Sequence, residues 1–275
     1  MKKSCALILA SAAAAAVAVP LFLVAPGKTS DEKKAPFMGL NVAHRGLHSK
    51  DKTVPENSLE AFRLASEAGY GIELDVQLSK DGRVVVFHDD NLKRVCGVEK
   101  RVDELDYQEL STLSLCGSEQ RIPLFAEVLK LVDGRSPLIV ELKKGRRNRE
   151  LCEKTCSLLR GYKGEYCIES FDPRIVAWFR RKAPEMLRGQ LANTMADYKG
   201  EVSSPLLSFA LSRCLLNVIA RPQFIAYSLK KRPLLVRICE LMGAMKVCWT
   251  SHEVKNEKGR DTVIFEFYNP SVRFK

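Results

Sequence analysis

The chain has 275 residues, 46% of them hydrophobic and 28% charged, with 44 Lys and Arg against 33 Asp and Glu for a net charge of +11. This composition excludes a disordered or fibrous chain, and the length is enough to bury one sizeable core. The basic balance suits nucleic acid, anionic lipid head groups or phosphorylated substrates, but no nucleic-acid motif is present, and the run Arg146, Arg147 and Arg149 has no interleaved aromatics and reads as a solvated loop.

After Lys2 and Lys3, residues 4–26 carry no charge. As a helix they would span about 30 Å of hydrocarbon, at about 1.5 Å per residue. Ala16-Val17-Ala18 could serve as a signal-peptide cleavage site, yet the apolar run continues beyond it through Leu21, Phe22, Leu23 and Val24. The expectation is an uncleaved membrane anchor over residues 1–26, with a signal peptide as the alternative. Residues 27–40 follow as a polar linker and 41–275 as the folded domain. Lysines on both flanks leave the positive-inside rule undecided. Eight cysteines follow the anchor, most of them in apolar stretches and none in a CxxC pair. They read as buried free thiols and not as a disulfide framework. Free thiols fit a reducing compartment, so the domain is expected to face the cytoplasm from the cell membrane. A secreted or extracellular-facing domain is the alternative.

From residue 41 the patterns of strand and helix alternate. Strands are predicted over 41–44, 71–77, 84–88, 138–143, 166–170, 187–191, 224–228, 246–250 and 263–267. Helices are predicted between most of them, including 56–68, 124–132 and 174–182. The first of these is capped by Asn57 or Ser58, and the last opens after Asp172-Pro173. This alternation indicates parallel βαβ units and an α/β barrel. Nine strands for eight places leave one as surplus or as a hairpin partner. The stretch 203–224 has only Arg213 and Arg221 charged. It is expected to be a barrel helix with a wide buried face, the alternative being a membrane-surface element.

Ionisable residues end or interrupt four of these apolar strands. His44 and Arg45 end the first. Glu73 and Asp75 lie two apart on the second and so share a side, as do Glu141 and Lys143 on LIVELK. His88 ends VVVFH. Burying such groups singly would cost several kcal/mol each, roughly, so they are expected to share one site. Three carboxylates suit a hard divalent cation, magnesium or calcium. Two histidines on separate strands can act as general base and general acid. Arg45 and Lys143 supply fixed positive charge for a phosphate. The combination describes phosphodiester cleavage.

HRG at 44–46, PENS at 55–58, IELDVQLSKDGRVVVFHDDNLKRV at 72–95, IPLF at 122–125, VELK at 140–143 and ESFDP at 169–173 together resemble the glycerophosphodiester phosphodiesterase family, over about residues 41–270. The resemblance implies a TIM (β/α)8 barrel that cleaves glycerophosphodiesters to sn-glycerol 3-phosphate and an alcohol. It implies His44 and His88 as the acid/base pair, Glu73, Asp75 and Glu141 as metal ligands, and Arg45 and Lys143 as phosphate-binding cations. In the implied mechanism the glycerol 2-hydroxyl attacks phosphorus and water then opens a cyclic phosphate. Glu56 matches the PEN glutamate, close to the site and touching the metal or Arg45, while Asn57 is expected to cap the next helix. Trp249 fits an aromatic wall against the glycerol, or a core residue. Two segments depart from the family's pattern. A WTVN-like strand end is here Trp249-Thr250-Ser251-His252, and an ITD-x-P-like segment runs Ile264-Phe265-Glu266-Phe267-Tyr268-Asn269-Pro270. Glu266 is a candidate to replace the acid, and His48 is expected to be solvated or supporting. The expected partners are a glycerophosphodiester or lysophospholipid and a membrane. A phospholipase-C-like lyase and a non-catalytic barrel that binds phospholipid products are the alternatives.

Overall fold

The computed structural model describes residues 16–274. Its strands are β1 (Leu40–Ala43), β2 (Gly71–Leu78), β3 (Val84–Val86), β4 (Leu138–Leu142), β5 (Tyr166–Ser170), β6 (Leu187–Ala192), β7 (Phe224–Ser228), β8 (Met245–Ser251) and β9 (Thr262–Phe265). Eight of them run parallel in one ring, closed where β1 pairs with β2 on one side and β9 on the other. The exception is β3, which is antiparallel to β2 with Val76 opposite Val86. The surplus strand is therefore a hairpin partner outside the ring. As a result His88 follows a hairpin and does not end a barrel strand.

The sequence GIELDVQL shows how the barrel is built. Ile72, Leu74, Val76 and Leu78 pack outward with Phe62, Phe125 and Phe179. The alternate residues Gly71, Glu73, Asp75 and Gln77 take the opposite, inner face. Inside, the N-terminal end of the barrel is filled by Phe37, Leu40, Ile139, Leu187, Phe224 and Met245. Gly189 is required there, because a Cβ would lie 2.0 Å from the Phe224 ring. On β4, β5 and β9 inward positions then change from apolar to ionisable along the strand. Ile139 is followed by Glu141 and Lys143, Cys167 by Glu169, and Ile264 by Glu266. The C-terminal rim of the barrel is thus its polar end, where sites form in this architecture.

The helices are α1 (residues 16–24), α2 (Asp31–Lys34), α3 (Leu59–Glu67), α4 (Lys93–Cys96), α5 (Tyr107–Leu110), α6 (Phe125–Val132), α7 (Asn148–Arg160), α8 (Pro173–Lys182), α9 (Pro205–Ser212), α10 (Asn217–Ala220) and α11 (Leu234–Leu241). Asp172 caps α8 by accepting from Arg174 N, with Pro173 at its start. Ser58 caps α3, its hydroxyl accepting from Ala61 N. Asn57, expected as a cap, is used elsewhere. The segment 27–40 carries α2 and contributes Phe37 to the barrel floor.

One expectation changes here, and most of a second lies outside the described residues. Within the stretch 203–224, α9 does not present a wide apolar face to the barrel, although Cys214 after it is buried. The buried residues of α9 are Ser208 and Ser212, while Leu206, Leu207 and Phe209 are 77%, 42% and 39% exposed. The serine hydroxyls bond to Ser204 O and Phe209 O, so the inward face is satisfied without apolar residues. Residues 1–15 of the expected anchor lie outside the described residues. Among the described residues no helix is long and apolar enough to cross a membrane. Val24, at the end of α1, packs with Ala192, Cys214, Ile225 and Tyr227, while Val17, Val19 and Phe22 are exposed.

Candidate active site

Asp75, Glu141 and Glu169 lie side by side in register on β2, β4 and β5, and Glu73 lies two residues before Asp75 on the same inner face. Oxygens of Glu73, Asp75 and Glu141 all fall within 4.8 Å of one another. All four residues are buried. Burial, reinforced by the charges of Asp75, Glu141 and Glu169, pushes the Glu73 carboxyl well above the usual range. Burial also pushes up Glu169 and, against the pull of Lys143, Glu141. Burial would raise Asp75 too, but the charges of His88, Lys143 and Arg45 and the Asn57 amide hold it low. Asp75 Oδ1 and Glu169 Oε2 are buried without a hydrogen bond. Close, buried, under-compensated oxygens are what a hard divalent cation requires, so this set fits magnesium or calcium.

The loop after β1 turns sharply to reach this set. Arg45 has φ 53 and Gly46 φ 79, and a Cβ on Gly46 would meet the Ala61 backbone at 2.8 Å. The turn aims Arg45 N at Glu73 Oε2, 2.9 Å away. The Arg45 side chain donates to Glu56 Oε1 at 2.6 Å, and its Nε lies 3.5 Å from Asp75 Oδ2. Glu56 also receives both terminal nitrogens of Arg94 at 2.7 Å. Burial opposes ionisation of Glu56, but Arg94 and Arg45 hold its pKa at about 2. Of the two expected contacts of Glu56, the structure makes the one to Arg45. Asn57 points the other way: its Nδ2 donates to Asp75 Oδ2 at 2.9 Å. On the far side, Lys143 Nζ lies 2.9 Å from Glu141 and 3.5 Å from Asp75. Burial would lower the Lys143 ammonium pKa, but Glu141 and Asp75 raise it.

Both histidines are backed by carboxylates. His44 Nδ1 lies 2.9 Å from Glu266 Oε2, and its Nε2 faces Glu73 at 3.9 Å. Burial opposes ionisation of Glu266, but His44 and His48 hold it low, so it is an acceptor and Nδ1–H donates. Burial, together with the charge of Arg45, lowers the His44 pKa against the pull of Glu266. His88 Nδ1 donates to Asp89 Oδ1 at 2.6 Å, and Asp89 is held in turn by Arg94 Nε at 2.6 Å. Gln77 Nε2 reaches the carbonyls of Phe87, His88 and Asp89, fixing the backbone at His88. In both histidines this leaves Nε2 free for chemistry. His88, Arg94 and Lys143 line one open cleft. Trp249 stands at the end of β8, its Nε1 bonded to Ala226 O and its ring edge-on to Phe171 at 5.6 Å.

The model of the glycerophosphoryl diester phosphodiesterase family matches residues 44–264, four-fifths of the chain. The chain belongs to this family. Glycerophosphodiester phosphodiesterase of Caldanaerobacter subterraneus subsp. tengcongensis is 30% identical over 222 residues, covering 77% of this chain and 85% of that one. Lysophospholipase D GDPD1 of Rattus norvegicus is 31% identical over 212 residues, covering 71% of this chain but only 59% of its own length. Among solved structures, a glycerophosphodiester phosphodiesterase from Parabacteroides distasonis is 26% identical with a TM-score of 0.64, covering 83% of this chain and 93% of that one. Within this family member, the residues singled out from sequence as His44, Arg45, Glu73, Asp75, Glu141 and Lys143 come together directly. Sequence reasoning did not assign Gln77, Asp89, Arg94 or Glu169. Gln77 and Glu169 carried a signal: each continues the inward alternation of its strand. Arg94 carried none, because its role depends on how α4 folds back over the loop.

Proposed function

We propose that this protein hydrolyses glycerophosphodiesters to sn-glycerol 3-phosphate and an alcohol, with His44 as base and His88 as acid. The observation that carries this reading is the pair of histidines, each bound through Nδ1 to a carboxylate, beside the buried set Glu73, Asp75 and Glu141. Those three residues would hold magnesium or calcium, which when bound supplies charge neutralisation at the phosphate oxygens. Arg45 and Lys143 add fixed positive charge on either side of it. His44, kept neutral by burial, accepts the proton of the glycerol 2-hydroxyl at Nε2 as that oxygen attacks phosphorus. His88 gives its proton to the departing alcohol. The roles then reverse: His88 takes a proton from water, and His44 returns its own as the cyclic phosphate opens. Trp249 and Phe171 supply an apolar wall for the glycerol carbons.

A second reading, a lysophospholipid substrate taken at a membrane surface, is favoured by one observation. Met195, Leu206, Leu207, Phe209 and Leu229 are exposed on the segments that follow β6 and β7, and exposed Lys199, Lys230 and Lys231 accompany them. Apolar side chains flanked by lysines suit an anionic lipid surface. The eight described cysteines are all free thiols, which supports the cytoplasmic side of that membrane.

The test is glycerol 3-phosphate release from glycerophosphocholine and glycerophosphoethanolamine by the wild type, His44→Ala and His88→Ala proteins. Release by the wild type alone supports the first reading. Release of lysophosphatidic acid and choline from micellar lysophosphatidylcholine, with no turnover of the two soluble diesters, selects the second. Silence toward all three substrates from folded protein would leave the non-catalytic barrel.

A further inference from the structure

Three of the chain's four histidines gather around one carboxylate. His44 Nδ1 and His48 Nε2 lie 2.9 and 3.3 Å from Glu266 Oε2, and His252 Nε2 lies 3.8 Å from Glu266 Oε1. One ligand atom each from His44, His48 and Glu266 falls within 4.8 Å of the others. The cluster is assembled from three separate segments: the turn after β1, the end of β8 and the end of β9. Phe267, at φ 62, braces it, stacked on His252 and edge-on to His48. His252 and Glu266 stand in the two segments read above as departing from the family's pattern.

The donor set differs in kind from Glu73, Asp75 and Glu141. Two or three imidazoles with one carboxylate suit a borderline transition-metal ion, whereas an all-oxygen set suits magnesium or calcium. Bonds of about 2.0–2.2 Å to tetrahedral zinc put neighbouring ligand atoms roughly 3.3 Å apart, close to the spacing found here. The side chains of His44, His48 and Glu266 are 16%, 9% and 18% exposed, which leaves a path for an ion to enter.

We propose that His44, His48 and Glu266, with His252 at the rim, form a second metal site that takes Zn2+ or a similar ion. Occupancy displaces the hydrogen from His44 Nδ1, so the neutral ring carries its one N–H at Nε2, which then has no lone pair to accept a proton. The site is therefore inhibitory. That consequence rests on the hydrolytic reading above, but the binding itself does not.

The test uses the full chain, stripped with chelator and then held in excess Mg2+. Zn2+ binding is measured by competition with a chromogenic zinc chelator, and Co2+ binding by its visible absorption. Wild type should take up one tight equivalent of Zn2+. His48→Ala and His252→Ala should weaken it, the former by about 10–100-fold or more, while Glu141→Gln leaves it unchanged. Thermal melts show whether each variant is folded, and His252→Ala, on an exposed side chain, keeps the test open if His48→Ala is not. Zn2+ should also inhibit the wild type more than His252→Ala. The proposal is overturned if folded His48→Ala and His252→Ala both bind Zn2+ as tightly as wild type. It is equally overturned if Glu141→Gln abolishes binding, which would place the ion on the carboxylate set.

Discussion

Asn57 is tied at both ends. Its backbone N–H donates to Arg45 O at 2.9 Å, and its Nδ2 donates to Asp75 Oδ2 at 2.9 Å. It does so from φ 55, a conformation that glycine also adopts without strain. Asn57→Gly therefore removes the amide and keeps the turn, while Ser58 still caps α3. We expect the cation concentration for half-maximal activity to rise by about 10–100-fold, the usual cost of losing a group that orients a metal ligand. Turnover at saturating cation should stay within a few-fold of wild type. Steady-state assays across a magnesium or calcium series check this.

His44→Ala and His88→Ala should each lower kcat by about 10²–10⁴-fold. Both residues sit on loops at the barrel rim, so circular dichroism and thermal melts should match wild type. Near wild-type turnover in either variant contradicts the acid/base assignment.

The pH profile should carry a specific sign. Burial lowers the folded pKa of His44 below 6.5, and the base must be neutral, so the acid limb of kcat/KM should have its midpoint below 6.5. Glu266 is one of the groups that raise this pKa. Glu266→Gln should thus move the limb further to acid and lower kcat, because the ring loses its anchor. A limb that moves toward neutral pH in this variant contradicts the arrangement.

Glu73 gives a stability prediction. A carboxyl with a folded pKa above its unfolded value of about 4.3 binds more protons when folded. Its contribution to stability is full below the unfolded value and is lost as pH rises through the folded one. At pH 8 and without cation, Glu73→Gln should melt higher than wild type, by about 2–4 °C per kcal/mol recovered in a chain of this size. Added Mg2+ or Ca2+ should raise the wild-type melting temperature and leave that of the variant nearly unchanged. Scanning fluorimetry at pH 5 and pH 8 reads both effects, and a variant that melts lower at pH 8 would reverse the sign.

The exposed face of α9 can be tested without touching the cleft. Leu206→Ser, Leu207→Ser and Phe209→Ser combined should leave turnover of soluble diesters unchanged. Co-sedimentation with vesicles containing anionic phospholipid should fall at least about 10-fold. Equal sedimentation of the two proteins would remove α9 from the membrane reading.

Much of this was legible in the chain because inner and outer faces of a barrel strand alternate. Glu73, Asp75, Glu141 and Lys143 each sit two residues from an inward neighbour, and that spacing alone puts them on one side. The β3 hairpin was not separable from a ninth barrel strand, since VVVFH has the same apolar run whether it is buried by a ring or by α4 and α5. Asn57 looked like a cap because asparagine favours that position, but tertiary pairing with Asp75 overrode the local preference. The burial of α9 was misjudged for a related reason. Hydropathy reports how apolar a segment is and not which way it faces, and in α9 the two serines took the inner side.

The most direct measurement is phosphorus NMR of glycerophosphocholine incubated with the full chain, first with Mg2+ or Ca2+ and then with chelator. The diester signal should give way to glycerol 3-phosphate with cation, stop on chelation, and resume when cation is restored. It should not change at any stage with Asp75→Asn. Undiminished glycerol 3-phosphate in chelator, or from Asp75→Asn, would contradict a phosphodiesterase built on the Glu73, Asp75 and Glu141 carboxylates.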